Sequence, residues 1–231
     1  MFYRSVTLII AVLALCGLDA TPAAAQASDK DKICSQVENR TFTVGTWASY
    51  NWTGGSSPGS TMRMAVVGKE PHEGTTYYWY EVAIDDPRRS NAKMIMQMLV
   101  AGLGAAVRSV VMKSGDQPAM RMPPQMIQMI NSAPGMNMAS QMTRACHEME
   151  VVGWEQVTVP AGQFRALHLK HPRPTLVSEV WIQPDQQFAM IKGTLKDGGV
   201  MELAAQGTGA KSSITETPVE MPGLPGVPPP H

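Results

Sequence analysis

Apolar side chains recur at every second position through much of this chain, the period of a strand with one covered face rather than that of a helix. Across residues 42–52, Ala48, Tyr50 and Trp52 alternate with Trp47, Ser49 and Asn51, and the run ends in Thr53, Gly54, Gly55, Ser56 and Ser57. Met62, Met64 and Val66 next alternate with Arg63 and Ala65; after Pro71, His72, Glu73 and Gly74, the residues Tyr78, Tyr80, Val82 and Ile84 mark another face. This predicts a strand, a flexible turn and a hairpin-like pair. Asp85, Asp86, Pro87 and Arg88 end the pair. Met94, Met96 and Met98 then alternate with Ile95, Gln97 and Leu99. As a strand this stretch puts its three Met on one face; as a helix it would spread them over about 200°. Alternation leaves both readings open there.

Leu103, Val107, Val110 and Val111 fall at helical spacing, which predicts a short helix over 101–112, although Gly102 and Gly104 weaken it by up to about 1 kcal/mol each. Pro118, Pro123, Pro124 and Pro134 interrupt the next stretch, and Met120, Met122, Met126, Met129, Met136, Met138 and Met142 fill it. The expectation is a mobile, partly helical insertion over about 101–145. Regular alternation resumes at Met149, with Val157 and Val159 leading to a Pro160-Ala161-Gly162 corner and on to Phe164, Ala166 and His168. Three more strands are expected over 176–182, 188–195 and 200–206, the last two joined through Asp197-Gly198, a hairpin turn signal. Residues 217–231 hold six Pro without periodicity, so 211–231 is expected to be an extended Pro-rich tail. About eight strands result. They predict a mainly β domain over 28–210: a single curved antiparallel sheet with a Met-rich helical or loop insertion, long enough for one substantial core.

The N-terminus carries a positive start ending in Arg4, an apolar run over 5–18, and small residues at Ala23, Ala24, Ala25, Gln26 and Ala27. That is the pattern of a signal peptide over 1–27, with cleavage after Ala25 or Ala27. The alternative, a retained anchor, is opposed by the shortness of the run. A lipid attachment at Cys16 is opposed by the bulk of Leu15. No second run approaches about 18 apolar residues, so the mature chain is expected to be soluble in the periplasm or secreted, with no transmembrane segment. In an oxidising compartment Cys34 and Cys146 are expected to pair, which the chain-entropy model values at about 4 kcal/mol. Two unpaired buried thiols are the alternative. The acceptor-like triplets Asn39-Arg40-Thr41 and Asn51-Trp52-Thr53 are read as chance matches, because the short Ala-rich leader looks bacterial.

Composition narrows the function. The 19 basic and 19 acidic side chains cancel, leaving no excess charge to release counterions from a phosphate backbone, which argues against nucleic-acid binding. Charged residues make up only 16%, against about 25% in ordinary domains, so long uncharged stretches must be packed or covered. Gly102-Leu103-Gly104 and Gly207-Thr208-Gly209 lack the rest of a phosphate-binding pattern. No Ser stands in a Gly-x-Ser-x-Gly elbow, and His147-Glu148 lacks the second His of a helical zinc motif. His168 and His171, three apart in a strand, are expected at the surface on opposite faces. Neither an enzyme nor a cofactor is indicated.

The run 153–166, with Val159-Pro160-Ala161-Gly162-Gln163-Phe164 at its centre, followed by Val180-Trp181, Lys192-Gly193 and Gly207-Thr208-Gly209-Ala210, resembles a pattern of exported bacterial proteins of unassigned function. Its arrangement is similar to the half-barrels of the periplasmic lipoprotein carriers LolA and LolB. The match covers about 150–215 and is a hairpin grammar, so it implies a fold and transfers no ligand-binding position. It implies an incomplete barrel whose apolar concavity is covered by helices, with the lid at 103–142.

Of the 18 Met, 12 lie between Met94 and Met149, and flexible thioethers suit a pocket for acyl chains of differing shape. They equally suit an irregular core. The leading expectation is a non-enzymatic exported protein binding a lipid-like or other hydrophobic ligand. Its candidate lining is Trp47, Tyr50, Trp52, Met62, Met64, Tyr78, Tyr80, Met94, Met96, Met98, Trp154 and Trp181. A second reading is Cu(I) binding through Met-x-Met at 62/64, 94/96/98, 120/122 and 136/138, since soft thioethers suit that ion. Met64, Met94 or Met122 would then need partners from other strands, with His147 or Met149 nearby. A third is an envelope-interaction module whose Pro-rich tail is the contact. The sequence assigns no protein partner and leaves open whether the concavity is empty or packed.

Overall fold

The structure, a computed structural model, describes residues 23–89, 93–102, 105–132, 146–174 and 176–222. The leader's apolar run, Leu103, Met136, Met138, Met142 and the last nine residues lie outside them. In chain order the elements are α1 (Ala23–Glu38), β1 (Trp47–Thr53), β2 (Thr61–His72), β3 (Thr75–Asp85), β4 (Lys93–Val100), β5 (Val107–Ser114), β6 (Met120–Arg121), α2 (Pro124–Ser132), β7 (Glu150–Val159), β8 (Gly162–Lys170), β9 (Val177–Ile182), β10 (Met190–Leu195), β11 (Val200–Gly207) and β12 (Val219–Glu220). All the strands join one sheet in the order β12-β6-β5-β4-β3-β2-β1-β11-β10-β9-β8-β7. Every pairing is antiparallel except β12 with β6, and the ends do not meet. The fold is mainly β, an open curved sheet of half-barrel form.

Local chemistry sets the hairpins. Glu73 and Gly74, with φ of 48° and 78°, close β2 onto β3 in a two-residue turn whose twist matches the strands. At the β10–β11 turn, Asp197 accepts the Gly199 N–H at 3.0 Å and, across the sheet end, the Ser56 N–H at 2.8 Å. There the two turns touch so closely that a Cβ on Gly55 would fall 2.6 Å from Gly199 Cα, and Gly55 itself holds φ +57°. Register shifts at Ser49/Tyr50, Val66/Gly68, Leu99/Val100 and Val151/Gly153 bend the strands, as bulges do. The bending carries the β7–β8 tip back, so that the Ala161 N–H donates to the Leu203 carbonyl at 3.1 Å and Val157 and Val159 share a core with Met201 and Leu203.

Where a helix is expected over 101–112, residues 107–112 belong to a strand. β5 pairs with β4 through Met98↔Val110 and Met96↔Met112, and its β-branched Val residues favour a pleated, packed surface over an isolated turn of helix. The 103–142 stretch is therefore not one lid: β5 and β6 belong to the sheet, and the helical part described is α2. Pro124 opens α2, where its missing N–H costs nothing, and Ile127 is buried. Asn131 clamps α2 to β5 by accepting the Val107 N–H at 2.9 Å and donating to the Val107 carbonyl at 2.8 Å.

Residues 211–222, expected to begin an extended Pro-rich tail, form a strap packed on the sheet. Ile214 is buried with Ile95, Val111 and Ala119, Glu216 pairs with Lys113, and β12 extends the edge at β6. At the other wing, Cys34 of α1 is bonded to Cys146, and Ile33 packs with Met149, Leu167, Leu169, Val180 and Ile182. Lys30 Nζ also donates to the carbonyls of His147 and Met149, each at 3.1 Å.

Candidate functional site

Residues directly opposite in an antiparallel pair share a face, so the register assembles the site. One row runs Ala48–Met64–Val82–Met96–Met112–Met120 over β1 to β6, and a second runs Tyr50–Met62–Ile84–Met94. A third joins Val66, Tyr80, Met98 and Val110. Tyr50, Met62, Met64, Tyr80, Met94, Met96 and Met98 thus stand on one face, joined by Trp52 and Tyr78 two residues along their strands. Val82, Ile84, Val110, Met112 and Met120 complete it. The last two were hidden in a segment whose alternation is broken by Gly and Pro.

One end of this face is filled. Phe42 and Phe188, from the segments before β1 and β10, pack on Tyr78 and Tyr80 with ring centroids 5.5 to 6.2 Å apart. The Tyr50 hydroxyl donates to the Met190 carbonyl at 3.0 Å, and the Tyr80 hydroxyl to the Met64 sulfur at 3.0 Å. Burial pushes both phenols far above their usual range, and for Tyr50 the neighbouring Tyr80 adds to the shift, so both act as neutral donors. The other end is open: Met62, Val82, Ile84, Met96, Met112 and Met120 are half-buried, and Met94 is 39% exposed. Trp52 Nε1 is a buried donor with no acceptor among the described residues. Behind this end, a groove lined by Ser49, Arg63, Ala83, Asp85, Lys93 and Ser213 belongs mainly to the reverse face.

Two of the expected lining residues stand elsewhere. Trp47 lies on the reverse face, beneath the Arg63 guanidinium at 5.3 Å, with its indole N–H donating to Thr208. Trp154 packs with the group around the disulfide, under Arg165. Trp181 is buried in the core cluster that also holds Tyr50, stacked on His168 at 4.2 Å, with Lys192 over its ring at 5.6 Å. His168 is itself only 8% exposed, not a surface residue, because Glu155 lies 2.9 Å from Nδ1 and Glu179 3.4 Å from Nε2, which lets the imidazole be covered. His171 is half-buried.

Glu155 also accepts the Trp181 indole N–H at 2.9 Å, and this bond, aided by His168 and opposed by burial, holds its carboxyl below the ordinary 4.5. A lowered native pKa contributes stability that is present above the ordinary value and lost as pH falls through the native one. Glu155→Gln is therefore expected to flatten the stability curve below about pH 4.5, read as urea midpoints from pH 6 to 3. An unchanged acid slope would contradict the assignment.

Among the described residues, no group of three or more His, Cys, Asp or Glu is placed to hold a metal ion. His147 pairs with Glu38 and Met149 is buried beside the disulfide, so neither reaches the Met face. Among the described residues, no helix is long and apolar enough to cross a membrane.

No protein-family model matches the chain, and no curated protein sequence does. Among solved structures it is similar to MucB in complex with MucA(peri), at TM-score 0.44 and 9% identity over 83% of this chain and 59% of that one. It is also similar to the Pseudomonas aeruginosa MucA/MucB complex, at TM-score 0.42 and 10% identity over 81% of this chain and 58% of that one. A third likeness, at TM-score 0.35 and 12% identity over 72% of this chain and 97% of the other, is to a Bacteroides fragilis protein described as exported, with a YmcC-like fold. The chain thus spans less than two thirds of the MucB chains it resembles.

Proposed function

We propose that this is an exported, non-enzymatic binding protein that takes a lipid-like, hydrophobic ligand on the open half of the Met face. The observation that carries the reading is the continuous, partly exposed apolar surface of Met62, Val82, Ile84, Met94, Met96, Met112 and Met120 beside a filled aromatic core. Unbranched thioethers adapt to an acyl chain without a fixed shape, and each methylene removed from water contributes about 0.8 kcal/mol before the cost of association. The unpartnered Trp52 N–H at the same end suits a ligand with an oxygen-bearing head.

Protein expressed from Ser28 into an oxidising compartment, purified natively and extracted into organic solvent, is expected to yield a stoichiometric lipid by mass spectrometry. Ile84→Lys is expected to weaken binding of a fluorescent acyl probe at least tenfold without loss of the folded state. Val152→Lys, at a site 49% exposed on β7, serves as the control. An empty extract together with no probe binding overturns the reading. A test of the tail as a contact should delete only 223–231, because the strap before it is packed on the sheet.

A further inference from the structure

Three thioethers far apart in sequence meet in one row of the sheet. Met96 of β4 lies directly opposite Met112 of β5, and Met112 directly opposite Met120 of β6. Such neighbours hold their Cβ atoms about 5 Å apart, and Met has enough rotatable bonds for adjacent sulfurs to converge on one point. We propose that Met96, Met112 and Met120 form a binding site for a soft monovalent cation, Cu(I).

The chemistry of the row selects this ion. Its donors are neutral sulfurs, and the described residues beside them in register or two along β4 and β5 are Val82, Met94, Met98, Val110, Ser114 and, next to Met120, Val219; none has a carboxylate or imidazole to replace the water of a hard divalent cation. Met64 lies in the same row, but Val82 separates it from the three, and its sulfur already accepts the Tyr80 hydroxyl. All three Met are half-buried, so an ion can reach them while much of their surface stays covered. A site of thioethers needs no deprotonation, so its affinity should not change between pH 5 and 8, unlike that of a Cys or His site.

The test is an anaerobic titration of the oxidised mature protein with Cu(I) against a chromophoric Cu(I) chelator. One equivalent is expected to transfer, with a sulfur-only shell in the copper X-ray absorption spectrum. Met112→Leu, which keeps the side-chain volume and is checked for folding by circular dichroism, is expected to lower the affinity at least tenfold. Met62→Leu, on the far side of β3, should leave it unchanged. Failure to compete with the chelator, nitrogen or oxygen ligands in the spectrum, or unaltered binding by Met112→Leu overturns the site. Acyl-probe binding measured on the metal-free protein reports only the lipid site, so the copper site and the lipid site can fail separately.

Discussion

Serine at both Cys34 and Cys146 is expected to lower the unfolding free energy of the protein expressed from Ser28 by about 4–5 kcal/mol, the value the chain-entropy model assigns to a loop of this size. The bridge spans 112 positions and connects α1 to the residues just before β7. Without it α1 depends on Ile33 packing, the two Lys30 bonds and the His147–Glu38 pair, most of them near solvent. Release of α1 would uncover Leu167, Leu169, Val180 and Ile182, so β8 and β9 should lose amide protection ahead of β2 to β4. Urea unfolding of the double serine variant, and of the unaltered protein under reductant, measures the effect. A change below about 1 kcal/mol would show that packing alone holds the helix.

Glu81→Ala is expected to cost about 3–5 kcal/mol and to free the strap. Glu81 is fully buried, and its carboxylate accepts the Ser213 hydroxyl at 2.7 Å, the Ser213 N–H at 2.8 Å and the Gln97 amide at 2.8 Å, with Arg63 3.6 Å away. Gln97 in turn donates to Ser212 at 2.6 Å. Truncation leaves these donors buried without an acceptor, a larger penalty than the net worth of the bonds themselves. Ser213→Ala removes one donor and should cost only about 1 kcal/mol or slightly more. Limited proteolysis within 210–222 should follow the same order, fast in Glu81→Ala and slow in Ser213→Ala. Resistance to cleavage in Glu81→Ala would mean that Ile214 packing and the Lys113–Glu216 pair suffice to dock the strap.

The hairpins were readable because their determinants are local. Glu73-Gly74 and Asp197-Gly198 name their own turns, and alternation from Tyr78 to Ile84 places one face of β3 without reference to any other strand. From sequence β5 reads as a helix because Val107, Val110 and Val111 satisfy helical spacing as well as a strand; the pairing with β4 that decides between them is not encoded within the segment. The strap escaped for a related reason. Ser212, Ser213 and Glu216 carry no period and acquire meaning only against Glu81 and Lys113, more than a hundred positions away.

The candidate face divides the same way. Alternation groups Met94, Met96 and Met98 with one another, but which face of each strand is covered, and which strands adjoin, depends on register. Register put Trp47 on the reverse face, covered His168 with two carboxylates, and set Met112 and Met120 beside Met96. By itself the sequence determined a mainly β chain, its principal hairpins and the pairing of Cys34 with Cys146, since period, turn chemistry and redox compartment act over a few residues or through composition. Tertiary structure alone decided where the open Met face lies, what fills its other end and what the strap covers. Those outcomes depend on contacts between distant segments, whose free energy is realised only when the whole sheet has formed.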